Sequence, residues 1–233
     1  LTTADSPVLL ITGGSTGIGA ASARLAVSKG YCVALGARHV DAVETLAAEL
    51  GGPSVALAQA CDVSDPTSIN AFVAATQDTF GRIDAVFANA GVGGSPGGFC
   101  GADPKAWHTM LMTNVYGVGL TIQAAAPALK ATRGHLLITG SAAGRATIPG
   151  SMYSASKWAV SAIGYGVREE LRGSGVRVTL IEPGMVDTPF FDNRPEHALS
   201  DDDVANSVLY ALAQPANVDV NEILLRPTPP LDN

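Results

Sequence analysis

A tyrosine and a lysine four residues apart, Tyr153 and Lys157, are the first candidates for chemistry in this chain of 233 residues. On a helix that spacing puts both side chains on one face. A phenol titrates near pH 10 and handles protons poorly at neutral pH; bringing it near 7 takes roughly 4 kcal/mol. A neighbouring ammonium favours the phenolate and can supply much of that. The pair is a candidate general acid–base device. A second candidate is Thr12-Gly13-Gly14-Ser15-Thr16-Gly17-Ile18-Gly19. Glycines let a backbone turn tightly against a pyrophosphate, and a helix N-terminus behind them offers free N–H groups and a favourable dipole. Its spacing, Gly-x-x-x-Gly-x-Gly, differs from the common Gly-x-Gly-x-x-Gly fingerprint, so alone it also fits an ordinary glycine-rich strand–helix turn.

These residues need elements to hold them. Short apolar runs at 8–12, 32–35, 55–60, 85–88, 136–139, 176–181 and 222–225 read as strands. Helical patterns fall between them, at 17–29, 41–50, 66–80, 104–131, 151–172 and 201–213. Asp41 and Glu44 have the spacing of a cap with a helix-start acid. Pro127 should bend or end the long fourth helix, and 91–101 reads as a glycine-rich loop. The alternation predicts an α/β fold: a doubly wound parallel sheet of about seven strands with helices on both faces. No linker divides the chain, so one domain is expected over 1–233, with a dinucleotide part at about 8–140 and a catalytic and substrate part at about 141–226.

Further motifs stand in a telling order. Cys61-Asp62-Val63 follows the third strand and Ala88-Asn89-Ala90-Gly91 the fourth. Asn114 lies in the long helix, Gly140-Ser141 ends the fifth strand, and Pro183-Gly184 follows the sixth, with Thr188 just beyond. With Tyr153-x-x-x-Lys157 and the glycine turn, the set resembles the short-chain dehydrogenase/reductase family over about residues 8–226. Ala88 departs from the family's Asn-Asn-Ala-Gly, and Ser141 precedes Tyr153 by twelve residues where many members have thirteen. The resemblance implies a single Rossmann-type domain. It assigns Tyr153 proton transfer with the substrate oxygen, Ser141 a hydrogen bond to that oxygen, and Lys157 both tuning of the phenol and a grip on the nicotinamide ribose. Asn114 is given a water in a proton relay. Taken singly, Ser141 could cap a strand end, Asn114 be a buried amide and Tyr153 a half-buried core phenol; the order of all of them favours the catalytic reading.

By the same resemblance the cofactor is gripped by Gly13, Ser15, Thr16, Gly17, Ile18, Gly19, Asp62, Val63, Asn89, Ala90, Gly91, Pro183, Gly184, Val186 and Thr188, together with Tyr153 and Lys157. An NAD site usually has an acid about 20 residues beyond the glycine turn. Here Val33 to His39 contains none; Ala37 takes the acid's place and Arg38 follows. A guanidinium suits a 2′-phosphate, so NADP(H) is expected over NAD(H), although Arg38 could also be a solvated strand end. The substrate wall is expected from Val92, Ala143, Ile148, Met185, Phe190 and Phe191. Only eleven residues separate Thr188 from Ser200, which predicts an open site tolerant of several carbonyl or alcohol compounds. Arg145 and Arg194 could meet a carboxylate, but solvent-facing arginines are commoner.

Other residues point elsewhere. His39, His108, His135 and His197 share no partner spacing and suit surface or helix roles, and the three cysteines form no zinc or disulfide pattern, so no metal is expected. Trp107, Met110 and Met112 suit core or interface, Glu169 and Glu170 a solvated face, and the acids 201–203 a helix start. A net charge of −7 without basic clusters argues against nucleic acid. Residues 106–129 lack charge but carry too many polar groups for a membrane span. The opening residues show no basic-then-apolar signal, which with the cysteine usage predicts a cytoplasmic protein. Charged residues are only 15%, suggesting surface hidden in a homodimer or homotetramer. The reading is an NADP-dependent carbonyl reductase or alcohol dehydrogenase. The alternative is a catalytically silent dinucleotide sensor, a class that typically lacks the tyrosine or lysine.

Overall fold

The computed structural model describes residues 6–94, 96–190 and 195–229. Seven parallel strands form one sheet in the order β3-β2-β1-β4-β5-β6-β7. They are β1 (Val8–Thr12), β2 (Cys32–Ala37), β3 (Ala56–Ala60), β4 (Ala85–Ala88), β5 (His135–Thr139), β6 (Arg177–Pro183) and β7 (Glu222–Leu225). The central strands are continuous apolar runs because both faces are covered. Leu9 and Ile11 of β1 point into one core with α1 (Gly17–Ser28), α2 (Val40–Glu49) and α8 (Asp201–Leu212). Leu10 points into the other, under α3 (Pro66–Phe80), α6 (Gly117–Thr132) and α7 (Met152–Glu170). The described residues also form two short helices, α4 (Gly98–Gly101), inside the expected loop, and α5 (Pro104–Leu111).

The chain order reverses between β1 and β4, and there the strand ends open a crevice. The glycine turn, Ser141, Tyr153 and Lys157 sit at that edge. A glycine sits at position 36 because Phe72 stands over it: a Cβ there would come 2.6 Å from the Phe72 ring.

Several expectations are corrected. The helix that starts near 104 is interrupted at a π-helical turn, Met112–Tyr116, and not at Pro127, which lies inside α6. α6 ends at Arg133, whose φ of 51° turns the chain out of the helix. Asp41 does not cap α2; His39 occupies the cap position without a side-chain bond, and Asp41 lies in the first turn. The acids at 201–203 do more than charge a helix start, because Ser200 and Asp203 bond reciprocally in a capping box. His135 is buried in β5, where its Nε2 meets Thr179 Oγ1 at 2.7 Å. Strands β2 and β6 each run two residues further than expected. Among the described residues no helix is long and apolar enough to cross a membrane.

Candidate active site

The glycine turn is built by close packing. A Cβ on Gly19 would stand 2.2 Å from the Gly13 carbonyl oxygen, so only glycine lets α1 start this close to the turn. Gly13 itself has φ +66°, the left-handed region that glycine enters without strain. The side chain of Thr16, the cap of α1, makes no capping bond, so it leaves the helix's first N–H groups without that partner. Asn89 ties the turn to its neighbours: its Nδ2 donates to the Thr12 and Gly13 carbonyls at 3.2 and 3.1 Å, and its Oδ1 accepts from Thr139 Oγ1 at 3.0 Å. One asparagine therefore fixes the ends of β1, β4 and β5 around the crevice.

The opposite wall comes from the turn after β5 and from α7. Ser141 starts a 3-10 turn, Ala142–Gly144, and accepts from the Ala143 N–H at 3.1 Å. Ser151 caps α7 by accepting from the Ser154 N–H, which sets the helix start one residue before Tyr153. Lys157 is 4% exposed; its Nζ donates to the Thr139 carbonyl at 2.8 Å and lies 5.7 Å from the centre of the Tyr153 ring. Burial pulls the lysine down to about 8. Burial also raises the Tyr153 phenol, and a hydrogen bond with Ser141 pulls the other way. Desolvating the phenolate outweighs the Ser141 bond, so the phenol lies above its ordinary value. The Phe190 ring packs edge-on against Tyr153, with centroids 5.7 Å apart.

Both walls face a single cavity of about 540 Å³. Gly13, Ser15, Thr16, Gly17 and Ile18 line it on one side, with Arg38, Asp62 and Val63 at the β2–β3 end. Asn89, Ala90, Gly91 and Val92 form its floor. Ser141, Tyr153 and Lys157 stand opposite, with Pro183, Gly184, Val186, Thr188 and Phe190 at the end set by β6. The loop after β6 is held in place by a parallel bridge between Val186 and Leu199.

Other expected residues lie off the cavity surface. Gly19 packs behind the turn. Asn114 is buried in the π-helical turn, where its amide brackets Val92: Oδ1 accepts from the Val92 N–H at 2.8 Å and Nδ2 donates to the Val92 carbonyl at 3.0 Å. Ala143 is buried behind Ser141, while Ile148 and Met185 are exposed and do not line the cavity. Phe191 and Arg194 fall outside the described residues. Arg145 is not solvent-facing in the ordinary way; it pairs with buried Glu182 and with Glu222.

Ala37 lines the cavity where the sequence placed it, and sequence reasoning missed His39, Cys61, Thr113 and Thr139 on the cavity surface. His39 was legible as the neighbour of Arg38. The Cys61 thiol, pushed up to about 12 chiefly by burial, is an apolar lining group and not a nucleophile. Asp62 is held below its ordinary range by the Ser64 hydroxyl and N–H, and so presents a carboxylate beside Arg38.

The model of the short chain dehydrogenase family matches residues 7–199. The chain belongs to the short-chain dehydrogenase/reductase family. Among curated relatives, dehydrogenase/reductase SDR family member 11 of Gallus gallus is 36% identical, over 95% of this chain and 96% of its own length. Among solved structures, an alcohol dehydrogenase from the archaeon Thermococcus sibiricus, complexed with 5-hydroxy-NADP, superposes with a TM-score of 0.89 at 34% identity, covering 98% of this chain and 100% of that one. A 3-ketoacyl-(acyl-carrier-protein) reductase from Brucella melitensis, complexed with NADH, gives 0.88 at 26% identity, covering 96% of this chain and 98% of that one. Like other members of this family, the protein is an oxidoreductase built on a Rossmann-type sheet.

Proposed function

We propose that this oxidoreductase transfers a hydride between NADP(H) and a small carbonyl or secondary alcohol compound. The observation that carries the reading is the convergence of Ser141, Tyr153 and Lys157 on the same cavity as the glycine turn. The residues present fit a dinucleotide. Only glycine fits the close approach of α1 to the Gly13 carbonyl, and the uncapped start of α1 presents N–H groups suited to a pyrophosphate. Asp62 and Val63 suit the adenine end, and Lys157, Asn89 and Thr188 the nicotinamide end.

When bound, the nicotinamide supplies or accepts the hydride at its C4. The chain's own residues manage the oxygen. Ser141 donates a hydrogen bond to the substrate oxygen and stabilises charge developing there. Tyr153 holds the proton that the oxygen takes up in reduction or gives back in oxidation. Lys157 keeps a positive charge near the phenol. Asn114 keeps the floor at Val92 in place through its side-chain amide, and its position beside the site is compatible with the water relay that the resemblance implies.

The 2′-phosphate preference rests on this chain's residues, since the two structural neighbours above carry different dinucleotides. Ala37 offers no acid to a ribose hydroxyl, whereas Arg38, His39 and Ser15 line the same end of the cavity. The exposed apolar residues Leu111 and Tyr116, before α6, and Trp158 and Tyr165, on α7, suit a homodimer or homotetramer.

The test is a screen of NADPH-linked reduction and NADP-linked oxidation over ketones, 3-oxo esters, sugars and 3-hydroxy acids, with Tyr153→Phe alongside. Turnover should fall by about 10²-fold or more in the variant while nucleotide still binds. Near-normal turnover in Tyr153→Phe rejects the assignment.

A further inference from the structure

A buried ion pair lies directly behind the Ser141 turn. Glu182, the residue before Pro183 in β6, is fully buried. Arg145 ends the 3-10 turn that Ser141 begins, and its Nε donates to both Glu182 oxygens, at 2.9 and 3.0 Å. Its Nη2 pairs with Glu222 of β7, and its guanidinium lies 5.5 Å from the centre of the Tyr165 ring. Ser161 Oγ donates to Glu182 Oε1 at 3.2 Å. Ser161 and Tyr165 continue, at four-residue steps, the row on α7 that starts with Tyr153 and Lys157. One helix face therefore carries the proton-handling pair at one end and grips the ion pair at the other.

The contacts around the turn form a closed ring. The chain runs from Ser141 to Arg145, crosses to Glu182, steps to Pro183, and returns where the Ser141 hydroxyl points to the Pro183 carbonyl at 3.4 Å. Ser154 Oγ adds a tie from α7 to the Ala143 carbonyl at 2.7 Å. There is little slack: a Cβ on Gly140 would stand 2.8 Å from Glu182 Cγ, and one on Gly144 2.7 Å from the Lys157 carbonyl oxygen. Burying a carboxylate this completely is expensive, and apolar residues of similar volume often hold a fold as well. A planar guanidinium that gives its Nε to Glu182 and its Nη2 to Glu222 fixes direction as well as distance, which an apolar contact does not.

We propose that Arg145, held by Glu182, is a positioning residue that fixes the Ser141 hydroxyl against Tyr153. This rests on the catalytic reading above. Arg145 does not line the cavity; it acts through the serine at the far end of its turn.

The experiment compares the full-length wild type with three proteins: Arg145→Gln, Arg145→Lys, and the double variant Arg145→Met with Glu182→Leu. The double variant leaves no unpaired buried charge and so keeps the fold when a single change does not. NADPH stoichiometry and affinity should match wild type. Misplacing a reacting group by an ångström costs about 10²-fold, so kcat should fall about 10- to 100-fold in the Gln and double variants with little change in KM. Arg145→Lys, which keeps the charge and loses the fork, should fall less. In a Ser141→Ala background, adding Arg145→Gln should cost less than about twofold, because the positioned group is already gone. Wild-type kcat in any of the three variants, effects that multiply in the Ser141→Ala background, or activity lost in step with nucleotide stoichiometry would each overturn the proposal. A wild-type protein that turns over no carbonyl or alcohol substrate overturns the catalytic reading and this inference with it. Turnover that needs Tyr153 but survives Arg145→Gln overturns this inference alone.

Discussion

Replacing Lys157 with methionine should make the nucleotide-free protein more stable at neutral pH, although it removes a residue of the site. The ammonium is buried, and desolvation brings it from 10.5 to about 8. Below pH 8 the lysine is charged in both the folded and the unfolded chain, so the whole desolvation cost falls on the folded state. A drop from 10.5 to about 8 corresponds to about 3 kcal/mol. Between those values the unfolded chain binds more protons, so wild-type stability rises with pH. By pH 10 less than about 1 kcal/mol of the cost remains. Methionine keeps most of the volume but gives up the bond to the Thr139 carbonyl, which offsets about 1 kcal/mol. The variant should therefore exceed wild type by about 2 kcal/mol at pH 7 and match or trail it slightly at pH 10. Urea unfolding of both proteins at both pH values, followed by tryptophan fluorescence, measures this; groups titrating alike in the two proteins cancel in the difference. A variant less stable than wild type at pH 7, or a difference that does not change with pH, would refute the reasoning.

Three further outcomes are expected. Losing a charged hydrogen-bond pair costs about 1.5–3 kcal/mol, so Arg38→Ala should weaken NADPH by roughly 10- to 150-fold and leave NADH nearly unchanged; titration showing equal losses for both would count against the 2′-phosphate assignment. Gly36→Ala should destabilise the fold by about 1–3 kcal/mol, because the added methyl meets the Phe72 ring; an unchanged urea midpoint would mean that the ring moves aside freely. Sedimentation should find a dimer or tetramer, and a stable monomer at micromolar concentration would sink the assembly reading.

The central strands were legible because buried parallel strands read as uninterrupted apolar runs, and β1, β4, β5 and β6 are each followed by a glycine or an asparagine where the chain leaves the sheet. Their ends were less so: Gly36 and Ala37, or Glu182 and Pro183, lack strand character, yet their backbones keep pairing with β3 and β7. The π-helical turn left no trace because one extra residue in a turn does not disturb an apolar pattern this broad. Pro127 was misleading for the opposite reason, since the packed helix tolerates it. Tyr153, Lys157 and the glycine turn were legible because their chemistry depends on spacing within one element. Arg145 and Glu182 lie 37 residues apart and meet only because β5 and β6 are neighbours. His135 and Thr179 are hidden in the same way, 44 residues apart across that pair of strands.

The two shifts at the centre of the site point in one direction. Burial raises the Tyr153 phenol and lowers the Lys157 ammonium, so each group is biased toward its neutral form. At neutral pH the phenol therefore keeps its proton, and Lys157, still below its value of about 8, mostly keeps its charge. On the function proposed above, a protonated phenol beside Ser141 would deliver its proton to an oxygen on which negative charge grows as a carbonyl is reduced. The ammonium, held by the Thr139 carbonyl, favours the phenolate that this transfer leaves behind. The desolvation that makes Lys157 costly to the fold thus strengthens its interaction with Tyr153, because a charge acts more strongly where water is excluded. On the proposed reading, the stability given up at one buried ammonium serves the proton transfer of its neighbouring phenol.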